Sequence, residues 1–482
     1  MLFNYRTNTK HKNKRTRCNT TFNARRFRNL STFTKRANQS KTMCGTMRLC
    51  GGGRMSETKK CIGKKQGNIL LSYVQQELKH AAWYKPTVRF PQFHRGMTGP
   101  ELAKAIHTYL QKLGDCHASA RWREPVTMTN VVSGPSIGVF PWEFERCNQG
   151  VVAIRVDTGK LQEVSPLVTI SNEPIDQILE KVKMCNGVYR GSTESYTERQ
   201  VFRALENWDK LFDTPMVLGF HNGTSVEKCR MGIKLRKKHP SAVINQGDTH
   251  IIRIREMSLK TLPFDLEKAL QGNFKRLVLD FRNNEGGGRG MIRLLASYLS
   301  PGPIVGAIAR SKQIFGTGFL QHNRFMFPQE HFKGEQLRVV KAVPTKLFPR
   351  GKGMSELHFF VVGPEKVSKS AKTNVPVSVL MNTHCFSACD IALATLDEIS
   401  KKYRQDIRLI GTPSSGGSSG AHRVELCSGR LRLQYGAMLS WKVNGDTFDG
   451  HGTQPHISVL PDPKECEYPP ANGIQMTTAL ST

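Results

Sequence analysis

The chain has 482 residues, of which 38% are hydrophobic, enough for roughly two or three packed domains and too apolar for a disordered or low-complexity protein. Its formal charge of +33 would ordinarily point to nucleic acid or an anionic surface, but fourteen of its Arg and Lys residues fall in Met1–Ser56, a stretch without Asp or Glu, and the rest are spread along the sequence. No run of about 18 apolar residues occurs and no compact apolar segment lies near the start, which argues against a transmembrane helix and a secretory signal and for a soluble chain.

Residues 1–66 read as a basic flexible extension. Its composition fits an organelle transit segment, a polyanion-binding tail, or sequence ahead of a later start at Met43, Met47 or Met55. The 12 cysteines are scattered, none in a paired Cys-x-x-Cys set, so reduced thiols are expected and neither a disulfide framework nor a zinc site.

Residues 67–130 form a helical N-terminal segment. The spacing of Leu70, Leu71, Val74 and Leu78 predicts a helix over Asn68–Trp83. Thr98 and Glu101 have capping-box spacing, Pro100 suits a first turn, and Leu102, Ile106, Tyr109, Leu110 and Leu113 make one apolar stripe that Gly114 ends. Asp115-Cys116-His117 then lies on the loop just beyond.

Residues 131–246 read as a separate β-rich module, with G-V-V-A-I-R-V as a strand and S-P-L-V-T-I followed by a turn at Asn172-Glu173-Pro174 and a helix. Residues 247–462 alternate buried strands (T-H-I-I-R-I-R, R-L-V-L-D-F-R, L-H-F-F-V-V, V-P-V-S-V-L-M, I-R-L-I) with helices near Phe264–Leu270 and Ala388–Ile399, the pattern of an α/β sheet covered on its faces. Residues 463–482 form a tail.

Four stretches of chemistry-bearing residues stand out. In Asn382–Glu398 a buried strand ends at Ser387 and turns at once into a helix, so Ser387 is either an N-cap or a nucleophile placed where backbone N–H groups converge. Cys385 and Cys389 beside it read as small-residue packing rather than metal ligands. The run L-D-F-R-N-N-E-G-G-G-R-G, Leu279–Gly290, lets backbone donors approach a ligand and fits an oxyanion pocket, a phosphate loop or a plain turn, but it lacks the Gly-Lys-Ser/Thr of a nucleotide loop. The others are I-G-T-P-S-S-G-G-S-S-G, Ile410–Gly420, and N-G-D-T-F-D-G-H-G-T-Q-P-H-I-S-V, Asn444–Val459.

Taken in order, L-G-D-x-H, D-x-R-N-N-x-G-G, the strand-end Ser-Ala, I-G-x-P-x-x-G-G and D-G-x-G-x-x-P resemble the tail-specific or C-terminal-processing serine peptidases, above all the branch related to the tricorn protease core. The resemblance spans Met97 to Leu460 and is strongest after Thr249. It implies a ClpP/crotonase-like α/β core with an inserted PDZ-like or β-rich module. It makes Ser387 the nucleophile and gives oxyanion donors at the backbone N–H of Ala388 and of Gly286 or Gly287. The better-known branch activates its serine with a lysine, and Gly417 stands at that place. The tricorn-like branch implies His117 as the base, oriented by Asp449, with Asp446 close by. Such a set is chemically complete: a weak nucleophile, a proton acceptor and a carboxylate that fixes the acceptor's tautomer. His384, His422, His451 and His456 read as ordinary polar residues near the site; Cys116 and Cys385 raise a thiol enzyme as a rival, but Cys385 precedes the helix start by two residues and is less well aimed.

The expected protein is a serine endopeptidase acting on unfolded or extended polypeptides, with no metal or nucleotide cofactor and no specific nucleic-acid partner. A catalytically silent peptide- or ligand-binding relative is the alternative, favoured by Gly417, and a polyanion-binding protein the third. Oligomeric state and compartment stay open; a targeting role of the basic start would make the chain exported or organellar.

Overall fold

At Thr98 both halves of the capping box form: Thr98 N–H donates to Glu101 Oε2 at 2.8 Å and Glu101 N–H donates to Thr98 Oγ1 at 3.4 Å. The helix they start, Gly99–Gln111, buries Leu102, Ile106, Tyr109 and Leu110 of its predicted stripe, and Leu113 is buried in the turn just past its end. The computed structural model describes residues 62–81, 89–94, 96–113, 117–123, 141–184, 193–205, 208, 212, 215–227, 241–315, 320–321, 325–351, 353–364, 375–427, 429–467 and 473–482. The basic start to residue 61, the helix stop at Gly114, Asp115 and Cys116 lie outside them.

The first helix runs Lys64–Leu78, earlier at both ends than its apolar spacing suggested, and presents the expected Leu70, Leu71, Val74 and Leu78. Both helices pack on a three-stranded antiparallel sheet in which Ser119–Trp122 pairs with Leu431–Gly436, itself paired with Ala421–Leu426. Leu431, Leu433 and Tyr435 alternate onto the buried face and share one core with the helices. An apolar helix stripe must be covered, and a hairpin from more than 300 residues further along the chain covers it. His117 is thereby carried to the far end of the sequence.

Residues 141–227 contribute an antiparallel sheet in the order Trp142–Cys147, Gly150–Arg155, Leu167–Ile170, Val217–Phe220, Ser225–Glu227. Glu173–Pro174 adds a short ladder to Leu167–Ile170, and helices Ile175–Met184 and Glu194–Leu205 complete an apolar core around Trp142, Ile178, Phe202 and Trp208.

The central sheet has six strands in the order Ile457–Ser458, Ile407–Gly411, Val377–Met381, Arg276–Asp280, Thr249–Arg253, Ala242–Gln246, all parallel except the last pair. Val377–Met381 is buried throughout, because both faces are covered. One face packs against helices Gly290–Leu299 and Ala388–Lys402, the other against the C-terminal helix Ile474–Ser481 through Met476 and Ala479. A second, antiparallel sheet of Phe327–Pro328, His358–Val362, Ile304–Ser311 and Met438–Trp441 lies beyond helix Ala388–Lys402, and Ala307 and Phe360 join the same core. Among the described residues no helix is long and apolar enough to cross a membrane.

Candidate active site

The parallel strands Arg276–Asp280 and Val377–Met381 are neighbours, so the segments that leave their carboxyl ends meet. Asn382 ties them: its Oδ1 accepts Asn283 N–H at 2.9 Å and its Nδ2 donates to Asn283 Oδ1 at 2.8 Å. Behind them Asp280 is fully buried among Arg282, Arg253 and Arg255, at 2.9, 3.2 and 3.4 Å. Burial alone would raise its carboxyl, but the guanidiniums of Arg282, Arg255 and Arg253 outweigh it and hold the group well below the usual carboxylate range. Arg282 is itself buried and reaches on to Glu465 and Gln475. A rigid ionic anchor thus precedes the glycine run.

Ser387 stands at the strand-to-helix junction with φ 58° and ψ −120°, a backbone state costly for a residue with a Cβ. Its hydroxyl makes no capping bond to the helix it precedes, so the N-cap alternative fails at this residue. The hydroxyl instead faces His117, whose Nε2 lies 3.4 Å from Ser387 Oγ. The imidazole stacks on Phe386, with ring centres 4.9 Å apart, and its Nδ1 is 3.0 Å from the hydroxyl of Ser419, a fully buried residue.

Asp449 is buried at a break in its short helix, and its Oδ2 accepts the N–H of Ser418 at 3.2 Å. The carboxylate therefore holds the residue next to the one that holds His117. Asp446 lies elsewhere, capping a turn with Asn444 at 2.8 Å. Asp390, in the first turn behind Ser387, takes the hydroxyls of Ser414 and Thr453, each at 2.6 Å, and burial pushes its carboxyl up.

The glycine run closes the other side. A Cβ on Gly286 would stand 2.6 Å from Phe386 O and 2.9 Å from Ala388 N, so this residue touches the nucleophile turn directly. Its N–H donates to Asn284 Oδ1 at 2.8 Å, and Asn284 is fixed by Ile254 O at 2.9 Å. Met257 N–H donates to Gly286 O and Gly288 N–H to Met257 O, which leaves the Gly287 N–H between them. Among the described residues neither Gly287 N–H nor Ala388 N–H has a hydrogen-bond acceptor.

The other histidines have structural posts. His384 Nε2 lies 3.8 Å from Glu145, His456 bonds Asp397 at 2.9 Å, His451 turns back to Thr447 at 3.2 Å, and His422 packs on Phe315 and Tyr435. Lys442 donates to Gly452 O and Gly417 brings no side chain, so neither supplies an amine to Ser387. Cys385 is buried with its thiol on Phe281 O at 3.2 Å, and Cys389 is buried with its thiol pushed well up, as expected of packing residues. Sequence reasoning missed Ser419, Asn284 and Asn283; only Asn-Asn directly before Glu-Gly-Gly-Gly hinted that side chains brace the run.

A cleft of about 1120 Å³ opens between the β-rich unit and the core, lined by Glu143–Arg146, Arg199, Phe202 and Arg203 on one side and Glu285, Gly286, Gly287 and His384 on the other.

Residues 248–459 match the family model described as peptidase family S41. No curated protein matches the sequence. Among solved structures, the chain is similar to CPAF in a serine-to-alanine mutant, at 14% identity and TM-score 0.57 over 84% of this chain and 94% of that one. It is similar also to mature CPAF, at 14% identity and TM-score 0.52 over 92% and 95%. The photosystem II D1 C-terminal processing protease aligns at 13% identity and TM-score 0.41 over 83% and 94%.

Proposed function

We propose that the chain, whose residues 248–459 match peptidase family S41, is a serine-type endopeptidase of the tail-specific kind, cleaving unfolded or extended polypeptides through an acyl-enzyme on Ser387. The observation that carries this reading is the strained Ser387 with its hydroxyl aimed at His117 Nε2 rather than at its own helix. His117 takes the hydroxyl proton as Ser387 Oγ attacks the scissile carbonyl, then returns it to the leaving amine. The developing oxyanion is received by the N–H of Gly287 in the glycine run and that of Ala388 at the start of helix Ala388–Lys402, where the partial positive charge of the helix end adds to theirs. Gly286 serves instead by close approach, since its own N–H is taken by Asn284.

Orientation of the base runs through two residues in this reading. Ser419 accepts the Nδ1–H of His117, which leaves Nε2 free for the serine proton, and Asp449 fixes the Ser418–Ser419 backbone. We read residues 247–462 as the ClpP/crotonase-like core and the preceding β-rich unit as its PDZ-like insertion. The cleft runs along the edge strand Trp142–Cys147, where an extended polypeptide can add as a further strand, its scissile bond directed toward Gly287 and Ser387.

Turnover of casein or an extended fluorogenic peptide tests the proposal. Ser387→Ala should abolish cleavage without lowering Tm, and His117→Ala should cost on the order of 10³-fold, as losses of triad members do. A Ser387→Ala variant as active as the parent would end the assignment.

A further inference from the structure

Helix Glu194–Leu205 belongs to the β-rich unit, yet its one face reaches three parts of the site. At its start Thr193 Oγ1 donates to Ser415 O at 2.7 Å. One turn on, the Tyr196 ring lies 5.6 Å from that of Phe386, the residue that stacks on His117. Further along, Arg199 and Arg203 both donate to Glu285 Oε1, Arg203 at 2.7 Å. Their spacing puts the two guanidiniums on the same side of the helix, so a single carboxylate can receive both.

Glu285 immediately precedes Gly286 and Gly287. Those glycines have φ of +97° and +143°, and without side chains they have nothing of their own to hold them in place. The run is tied from below by Asn284 and Met257, and the Glu285 side chain ties it from the cleft side. The Arg199 side chain is only 5% exposed while Glu285 is 44% exposed, so the carboxylate leans from the rim onto a largely buried guanidinium. A charge-assisted bond of that kind is better defined than a surface ion pair.

We infer that Glu285 is a positioning residue for the oxyanion donor: gripped by Arg199 and Arg203, it sets the Gly287 N–H, and so couples the β-rich unit to the rate of acyl transfer. The inference rests on the assignment of Ser387 and Gly287 made above. It assigns no contact between Glu285 and the reacting atoms, only control of the backbone beside it.

The test uses the full chain with Glu285→Gln and Arg203→Gln, both at partly exposed side chains, singly and together. The readouts are kcat and KM on an extended fluorogenic peptide, the rate at which a fluorophosphonate labels Ser387, and Tm. Deleting one oxyanion donor costs roughly 10²–10³-fold, so a donor displaced but not removed should cost about tenfold. The expected result is that kcat and labelling rate fall together by that factor while KM and Tm hold, and that the double variant is no slower than Glu285→Gln alone, because both act through one contact. Unchanged kcat in Glu285→Gln, with a parent that labels at Ser387, would overturn the inference, as would losses that add in the double variant or follow a fall in Tm. A parent unlabelled at Ser387 would instead overturn the serine mechanism beneath it.

Discussion

Replacing Gly286 with Ala should disable the enzyme through geometry alone. A methyl there would stand 2.6 Å from Phe386 O, 2.8 Å from Ser387 Cβ and 2.9 Å from Ala388 N. Carbon contacts are comfortable only from about 3.5 Å, so the glycine run and the nucleophile turn must part by roughly 0.5–1 Å. The φ of +97° is also one that a Cβ disfavours, adding on the order of 1–2 kcal/mol of strain. A displacement of about 1 Å at reacting groups costs on the order of 10²-fold, so kcat/KM of Gly286→Ala should fall by about that much or more. The matched control is Gly288→Ala, whose added carbon meets nothing nearer than Met257 O at 3.4 Å; it should stay close to the parent. Peptide turnover and Tm measured on both variants decide the matter. Near-parental kcat/KM in a folded Gly286→Ala protein would refute the idea that contact between these two turns assembles the site.

Ser419→Ala removes the partner of His117 Nδ1 and should lower kcat by roughly 10- to 100-fold with KM little changed, less than the loss from a wrong tautomer enforced by a carboxylate-to-amide swap; full activity would show that Ser419 does not orient the base. Acid should weaken the layer that carries His117. His107 accepts Ala120 N–H at 3.2 Å, and burial together with Arg121 lowers its pKa from 6.5 to about 4. A depressed folded pKa means stability complete above the unfolded value and lost as pH falls through the folded one. About 3 kcal/mol should therefore disappear between pH 6.5 and 4. Urea unfolding of the parent and of His107→Gln at pH 7 and 4 checks this: the variant should show a shallower loss, and an equal loss in both would be the contrary result.

What could be read from the sequence were features with local causes. The Thr98 capping box, the apolar stripes of the first two helices and the buried parallel strands depend on spacing within a few residues, and the structure has them. The Ser387 turn was legible because a buried strand, a small residue and a helix follow closely, although the strand ends at Met381 rather than at Ser387 and residues 382–387 make the connection. What stayed hidden depends on contacts far apart in sequence. Nothing in S-S-G-G-S-S distinguishes Ser419 from its neighbours; only pairing of Ser119–Trp122 with Leu431–Gly436 brings His117 beside it. Likewise the glycine run gave two candidate donors, and the choice between them turns on the Asn284 side chain bonding Gly286 N–H. The hold of Arg199 and Arg203 on Glu285 joins residues more than 80 apart, a distance that helix periodicity cannot span.

The central claim is that Ser387 is a nucleophile activated by His117, and covalent labelling tests it most directly. A fluorophosphonate requires an activated serine and forms a tetrahedral adduct that the Ala388 and Gly287 N–H groups should hold as they would the acyl intermediate. After reaction with the folded protein, peptide mapping by mass spectrometry should find the label on Ser387 alone, and the His117→Ala protein should take it up far more slowly. Folded protein unlabelled at Ser387, or label carried by another serine, would contradict the account.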